Sequence, residues 1–133
     1  MDAASALADL IEISSQVDAA VVLDAEGAVL ASTADDPAQG ERLGAAGLAL
    51  LSAGDESPAT GARSLTQLEV ALREGSVFAV REEGRSIVAA TSPEPTSGLV
   101  FYDLKTCLRT LAQGAEEAPA KPKRRTKQAD AGA

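Results

Sequence analysis

The polar and apolar positions of this chain fall into short blocks whose period changes along its length. In residues 2–15, "DAASALADLIEISS", Ala3, Leu7, Leu10, Ile11 and Ser14 recur at helical spacing, with Asp9 and Glu12 opposite. An amphipathic helix therefore opens the chain. From Val17 to Leu23 the run is almost wholly apolar, the pattern of a central strand covered on both faces. Asp24-Ala25-Glu26-Gly27 is a turn in which Gly27 supplies the positive φ of a tight hairpin, and Ala28 to Thr33 is the return strand. Asp35 or Asp36 is then the natural N-cap of a second helix, with Pro37 in its first turn, Glu41 at its positive dipole end and Gly54 as a stop after about Ala53.

Residues 55–63, "DESPATGAR", form a loop, and three strands follow. "SLTQLEVALRE" alternates, with Leu68, Val70 and Leu72 on one face and Gln67, Glu69 and Ala71 on the other. "GSVFAVREE" and "RSIVAATS" meet at Glu83-Gly84, a hairpin turn, and Ile87 to Ala90 is apolar on both faces, as in mid-sheet. Ser92-Pro93-Glu94-Pro95 breaks the sheet. A last helix capped by Thr96 or Ser97 carries Val100, Leu104, Cys107 or Leu108, and Leu111 at helical spacing. The order α-β-β-α-β-β-β-α predicts an α+β domain over residues 1–114, a five-stranded antiparallel sheet with helices on both faces. Residues 115–133 lose all hydrophobic period and read as a disordered basic tail.

Composition narrows the chemistry. The chain has no histidine, which removes Ser-His and Cys-His nucleophile pairs and the commonest general base. One cysteine excludes an intramolecular disulfide and a thiolate zinc site, and Cys107 lies in an apolar helical pattern that reads as buried packing. The carboxylate pairs Asp35/Asp36, Asp55/Glu56 and Glu82/Glu83 sit at turns and element ends, where solvation or capping explains them. No catalytic residue, metal ligand or cofactor site is assigned, and the chain is not read as an enzyme. With neither a signal peptide nor a membrane-spanning run, it is expected in the cytoplasm.

Three glycines, Gly40, Gly44 and Gly47, share one face of the second helix, at an intrinsic cost of roughly 0.5–1 kcal/mol each relative to alanine. Either they simply suit an alanine-rich composition, or that face meets a sheet or another helix at very close range.

Together, the opening helix "ALADLIEIS", the hairpin "AAVVLDAEGAVLAST", the small-residue helix "GERLGAAGLALLSAG", the three strands and the closing helix "GLVFYDLKTCLRTL" resemble the Roadblock/dynein light chain family over about residues 3–112. The resemblance implies a homodimeric platform in which the third strands of two subunits pair across a two-fold axis, with the second helices side by side. It places a dimer or partner interface on Gly40, Gly44, Gly47, Leu48, Leu51, Gln67, Glu69 and Ala71. It also implies a small Ras-like GTPase as partner, regulated or anchored by the dimer. Arg42 and Arg63 flank the second helix and are conceivable arginine fingers, although single surface arginines are common. No phosphate-cradling Gly-Lys-Ser/Thr motif is present, so the chain is not expected to bind GTP itself.

Charge divides the chain in two. The whole carries −8; residues 119–133, with five cations and Asp130, carry +4, which leaves −12 for residues 1–118. Lys121, Lys123, Arg124, Arg125 and Lys127 lack interleaved aromatics, so they offer salt-sensitive phosphate attraction at most, or they fold back on the acidic body. Two rival readings stand beside the GTPase module: a small-ligand sensory domain, and a dimeric carrier of a tail that contacts nucleic acid or anionic surfaces.

Overall fold

A computed structural model describes residues 2–61 and 63–117, the last five as helical backbone. The tail cations Lys121, Lys123, Arg124, Arg125 and Lys127 lie outside the described residues. The order is α1 (Ala3–Ile13), β1 (Val17–Leu23), β2 (Val29–Ser32), α2 (Pro37–Asp55), β3 (Gln67–Ala71), β4 (Ser76–Glu82), β5 (Arg85–Thr91) and α3 (Ser97–Glu117). Every strand pair is antiparallel, in the spatial order β2-β1-β5-β4-β3.

The two faces of the sheet bury separate clusters. Ala20, Val22, Phe78, Val80, Ile87 and Ala89 face α1 and α3, whose Leu7, Leu10, Val100, Leu104, Leu108 and Leu111 close the larger core. Phe78 meets Phe101 edge to face with ring centroids 5.0 Å apart. Val21, Leu23, Ala79 and Val88 point the other way, toward α2 and Leu51. This is why the Val17–Leu23 run is apolar at consecutive positions: β1 lies inside the sheet with a helix layer on each side.

Local chemistry sets the turns. Asp24 Oδ1 accepts from the backbone N–H groups of Glu26 and Ala28, and Gly27 takes φ +89°. Glu83 and Gly84, at φ +56° and +80°, make the two-residue turn that antiparallel twist favours. Asp2 caps α1 by accepting from Ser5 N–H at 2.8 Å, and Asp36 caps α2 by accepting from Ala38 N–H at 3.0 Å.

Four boundaries or faces differ from the pattern-based expectation. Ile11, assigned to the buried face of the first helix, is 37% exposed; Ala6, Leu7 and Leu10 fill that face instead. Leu72 lies beyond β3 and is 54% exposed. Gly54 does not stop α2, which continues to Asp55; a Cβ at Gly54 would overlap Leu65 Cδ1, so this glycine serves packing rather than termination. The last helix passes Gly114 and reaches Glu117.

Candidate functional site

β3 is one edge of the sheet, and its free side is defined by hydrogen-bond parity. Arg81 N–H donates to Thr66 O, and Leu72 and Gly75 exchange both backbone bonds. With Leu68 opposite Ala79 and Val70 opposite Val77, the even-numbered residues 66–72 turn their backbone groups toward β4. The N–H and C=O groups of Gln67, Glu69 and Ala71 therefore point out of the sheet, where no strand lies beside them among the described residues. Side chains alternate as expected: Leu68 and Val70 lie over the α2 side, half-buried, while Gln67, Glu69 and Ala71 share the face of Phe78 and Val80. Helix α3 covers β4 and β5 but does not reach over β3, so Glu69 and Ala71 remain exposed.

A polar clamp holds the chain entering β3. Asp55 Oδ1 accepts from Leu65 N–H at 2.7 Å and from Arg81 Nη2 at 2.5 Å, and Arg81 Nε donates to Leu65 O at 2.6 Å. The Leu65 amide, and then the Arg81 guanidinium, hold the Asp55 carboxyl below its ordinary range. Thr60 Oγ1 donates to Ser57 O at 2.8 Å and also lies within bonding distance of Gly54 O, tying the intervening loop to the end of α2. Sequence reasoning missed this clamp because it read Asp55 as a solvated loop carboxylate. Two signals were present. An aspartate at a helix C-terminus opposes the helix dipole and calls for a cationic partner, and Arg81 interrupts an otherwise apolar strand.

The eight residues expected at the interface separate into two groups. Gln67, Glu69 and Ala71 lie on the open edge. Gly40, Gly44 and Gly47 do not face outward: a Cβ at Gly40 would come 2.5 Å from Ser32 Oγ, at Gly44 2.9 Å from Leu23 Cδ2, and at Gly47 within overlap of the Val88 γ-methyls. Their closeness is to the chain's own sheet, which corrects their assignment to a helix–helix interface. Leu51 is fully buried in the smaller core, and Leu48 is half-buried against it. The outward face of α2 consists instead of Arg42, Ala45, Ala46, Ala49, Ser52 and Ala53, all exposed. Of the two candidate arginine fingers, Arg42 thus lies on the outer face of α2, and Arg63 is exposed in the loop before β3.

Concave regions among the described residues also lie away from this edge. A hollow at one end of the sheet lies between the Asp24–Gly27 turn, the Glu83–Gly84 turn and residues 64–66. Its carboxylates outnumber its guanidiniums, and Arg81 is already committed to Asp55. A smaller groove between α1 and α3 is lined by Asp9, Ile13, Asp103, Thr106 and Cys107. Cys107 is 6% exposed, and burial, helped by the charge of Asp9, pushes its thiol up to about 11. It is a packed, protonated thiol, as its apolar context predicts. Among the described residues no three His, Cys, Asp or Glu side chains group to hold a metal ion, and no helix is long and apolar enough to cross a membrane.

No family model and no curated protein matches this sequence. Solved structures do. A Roadblock/LC7 domain from Streptomyces avermitilis superposes with a TM-score of 0.76 at 17% identity, over 88% of this chain and 100% of that one. The gliding protein MglB from Thermus thermophilus gives 0.70 at 20% identity, over 87% and 90% of the two chains. A profilin, LokiProfilin2, solved in complex with rabbit actin, gives 0.56 at 13% identity, over 82% and 94%. At these identities the likeness is one of fold, and the fold is that of the Roadblock/LC7 domain.

Proposed function

We propose that this chain is a homodimeric interaction module that binds a small Ras-like GTPase and regulates or anchors it, without being an enzyme itself, and that it works in the cytoplasm. The observation that carries the reading is the open β3 edge. A strand with three N–H/C=O pairs that no strand meets among the described residues, and with a half-apolar face, favours pairing with another strand. The exposed face of α2 beside it is built from small side chains, which allow a second backbone to approach closely. Pairing two such edges would turn two five-stranded sheets into one continuous platform with both α2 helices on the same side. The Roadblock fold supports this use, because the resemblance implies dimeric platforms that act with small GTPases. Arg42 is the exposed cation on the α2 face and the first to test for contact with a bound nucleotide's phosphates.

The test is an affinity pull-down from the source lysate with the full chain and a 1–117 truncation, in GDP or a non-hydrolysable GTP analogue, followed by mass spectrometry and light scattering. A small GTPase retained by both forms in one nucleotide state is the expected result, and its hydrolysis rate with and without the chain then separates activation from anchoring. Retention by the full chain alone, abolished by moderate salt, would transfer the function to the basic tail and overturn the reading.

A further inference from the structure

We propose that two copies join through β3 in one particular register, with Val70 of each chain facing Val70 of its partner across the two-fold axis. The proposal rests on the dimeric reading above and adds which residues meet. Two copies of one edge strand related by a two-fold axis pair antiparallel, and each contact occurs twice. The outward backbone groups belong to Gln67, Glu69 and Ala71, so these must pair among themselves. That condition centres the axis on Leu68, Glu69 or Val70 if at least two such pairs are to form.

The three registers differ in what they bring together. Centred on Glu69, all of Gln67, Glu69 and Ala71 find backbone partners, but the two Glu69 carboxylates stand directly opposite and Leu72 faces the partner's Thr66. Like charges directly opposite are destabilising. Centred on Leu68, the strand must run into residues 64–66, where Leu65 is already committed at both backbone groups to Asp55 and Arg81, and Leu72 faces the partner's Ser64. Centred on Val70, the α2 side carries an unbroken apolar strip: Leu68 against the partner's Leu72, Val70 against the partner's Val70, and Leu72 against the partner's Leu68. Leu72, otherwise 54% exposed, is then covered. On the opposite side Glu69 faces the partner's Ala71, with the partner's Arg73 at one diagonal to offset the partner's Glu69 at the other. This register gives up the backbone pair at Gln67, whose groups stay in water at the rim, where an unpaired group costs little. In exchange it covers both copies of Leu72 and the part of each Leu68 still exposed, and it separates the carboxylates.

Disulfide trapping reads the register directly. In a C107A background, V70C, E69C and L68C chains are exposed to oxidised glutathione and run on non-reducing gels, with light scattering on each reduced protein. Cα atoms of a directly opposed pair lie about 4.5–5.5 Å apart, within disulfide reach, whereas diagonal partners about 7–8 Å apart are not. The proposal expects V70C to form the interchain disulfide and the other two to stay reduced. Trapping through E69C or L68C, or a reduced dimer in which none of the three traps, would overturn the register while leaving dimerisation standing. A monomeric mass for all three would remove the dimeric reading as well. As an independent check, R73E should weaken association up to roughly tenfold by removing two diagonal pairs, and adding E69R should restore it. An unchanged dissociation constant for R73E counts against the proposal.

Discussion

Val88 presents two γ-methyls directly beneath Gly47, so near that a Cβ on this helix residue would lie within overlap of both. Intrinsic helix propensity ranks alanine about 1 kcal/mol above glycine, and by that rule Gly47→Ala should stabilise the chain. Packing reverses the sign. Valine is stiff at χ1 and has no flexible end to swing aside, so the added methyl must push α2 off β5, at a cost of about 1–3 kcal/mol. Urea unfolding at fixed protein concentration should therefore show Gly47→Ala destabilised. Gly98→Ala, where nothing among the described residues outside its own stretch of helix lies within 4 Å of the new Cβ, should be neutral or slightly stabilised. The decisive comparison is Gly47→Ala with Val88→Ala: trimming the methyls must recover part of the loss, because the two sites share one contact. Strict additivity would mean that the glycine stripe is compositional after all.

The connection from α2 to β3 is held by a carboxylate, and its strength is therefore set by pH. The Asp55 carboxyl is held below its ordinary value of 3.8 by the Leu65 amide and the Arg81 guanidinium. A lowered folded-state value means that the contribution to stability is complete above the unfolded value and disappears as pH falls through the folded one. Asp55→Asn should thus be less stable than the parent chain at pH 7, and the gap should narrow as pH is lowered below 3.8, measured by chemical unfolding at pH 7 and pH 3. A gap that does not change with pH would show that the carboxylate charge is not what holds this element. The same clamp marks the limit of what the sequence made legible. Element order, the β3 face alternation and the α3 core residues follow from period and turn residues, because each is a statement about neighbours along the chain, whereas the place of β3 at the sheet edge depends on the pairing of β1 with β5. The Asp55–Arg81 pair joins residues on separate elements and leaves no periodic trace. The glycines show the same limit differently: their spacing revealed a close approach, but whether the surface approached was this chain's sheet or a second helix depended on how α2 lies across β1 and β5. Ile11 was misplaced for a related reason, since at the flank of the helical stripe small differences in tilt decide between core and solvent.

At the scale of the molecule, the dimer rests on the β3 edge, beside which no strand lies among the described residues, and proline can probe that edge without dismantling the sheet. The Glu69 N–H points away from β4, so Glu69→Pro removes no bond of the β3–β4 ladder, and edge strands tolerate proline in this orientation. Leu68 donates into the ladder opposite Ala79, so Leu68→Pro breaks it. If two copies meet through this edge, Glu69→Pro should keep the far-ultraviolet circular dichroism of the parent chain but scatter light as a monomer. Its melting temperature should also lose the rise with protein concentration that self-association confers on the parent. Leu68→Pro should lose the fold itself. The comparison is made at fixed ionic strength, because residues 1–118 carry −12 and two such bodies repel at low salt. A Glu69→Pro chain that remained dimeric would place the contact elsewhere on the molecule, with the exposed alanine face of α2 the next surface to test. A monomer that still captured the GTPase in one nucleotide state would show that each copy carries a complete binding site. Loss of capture together with dimerisation would mean that the site exists only where two sheets have become one.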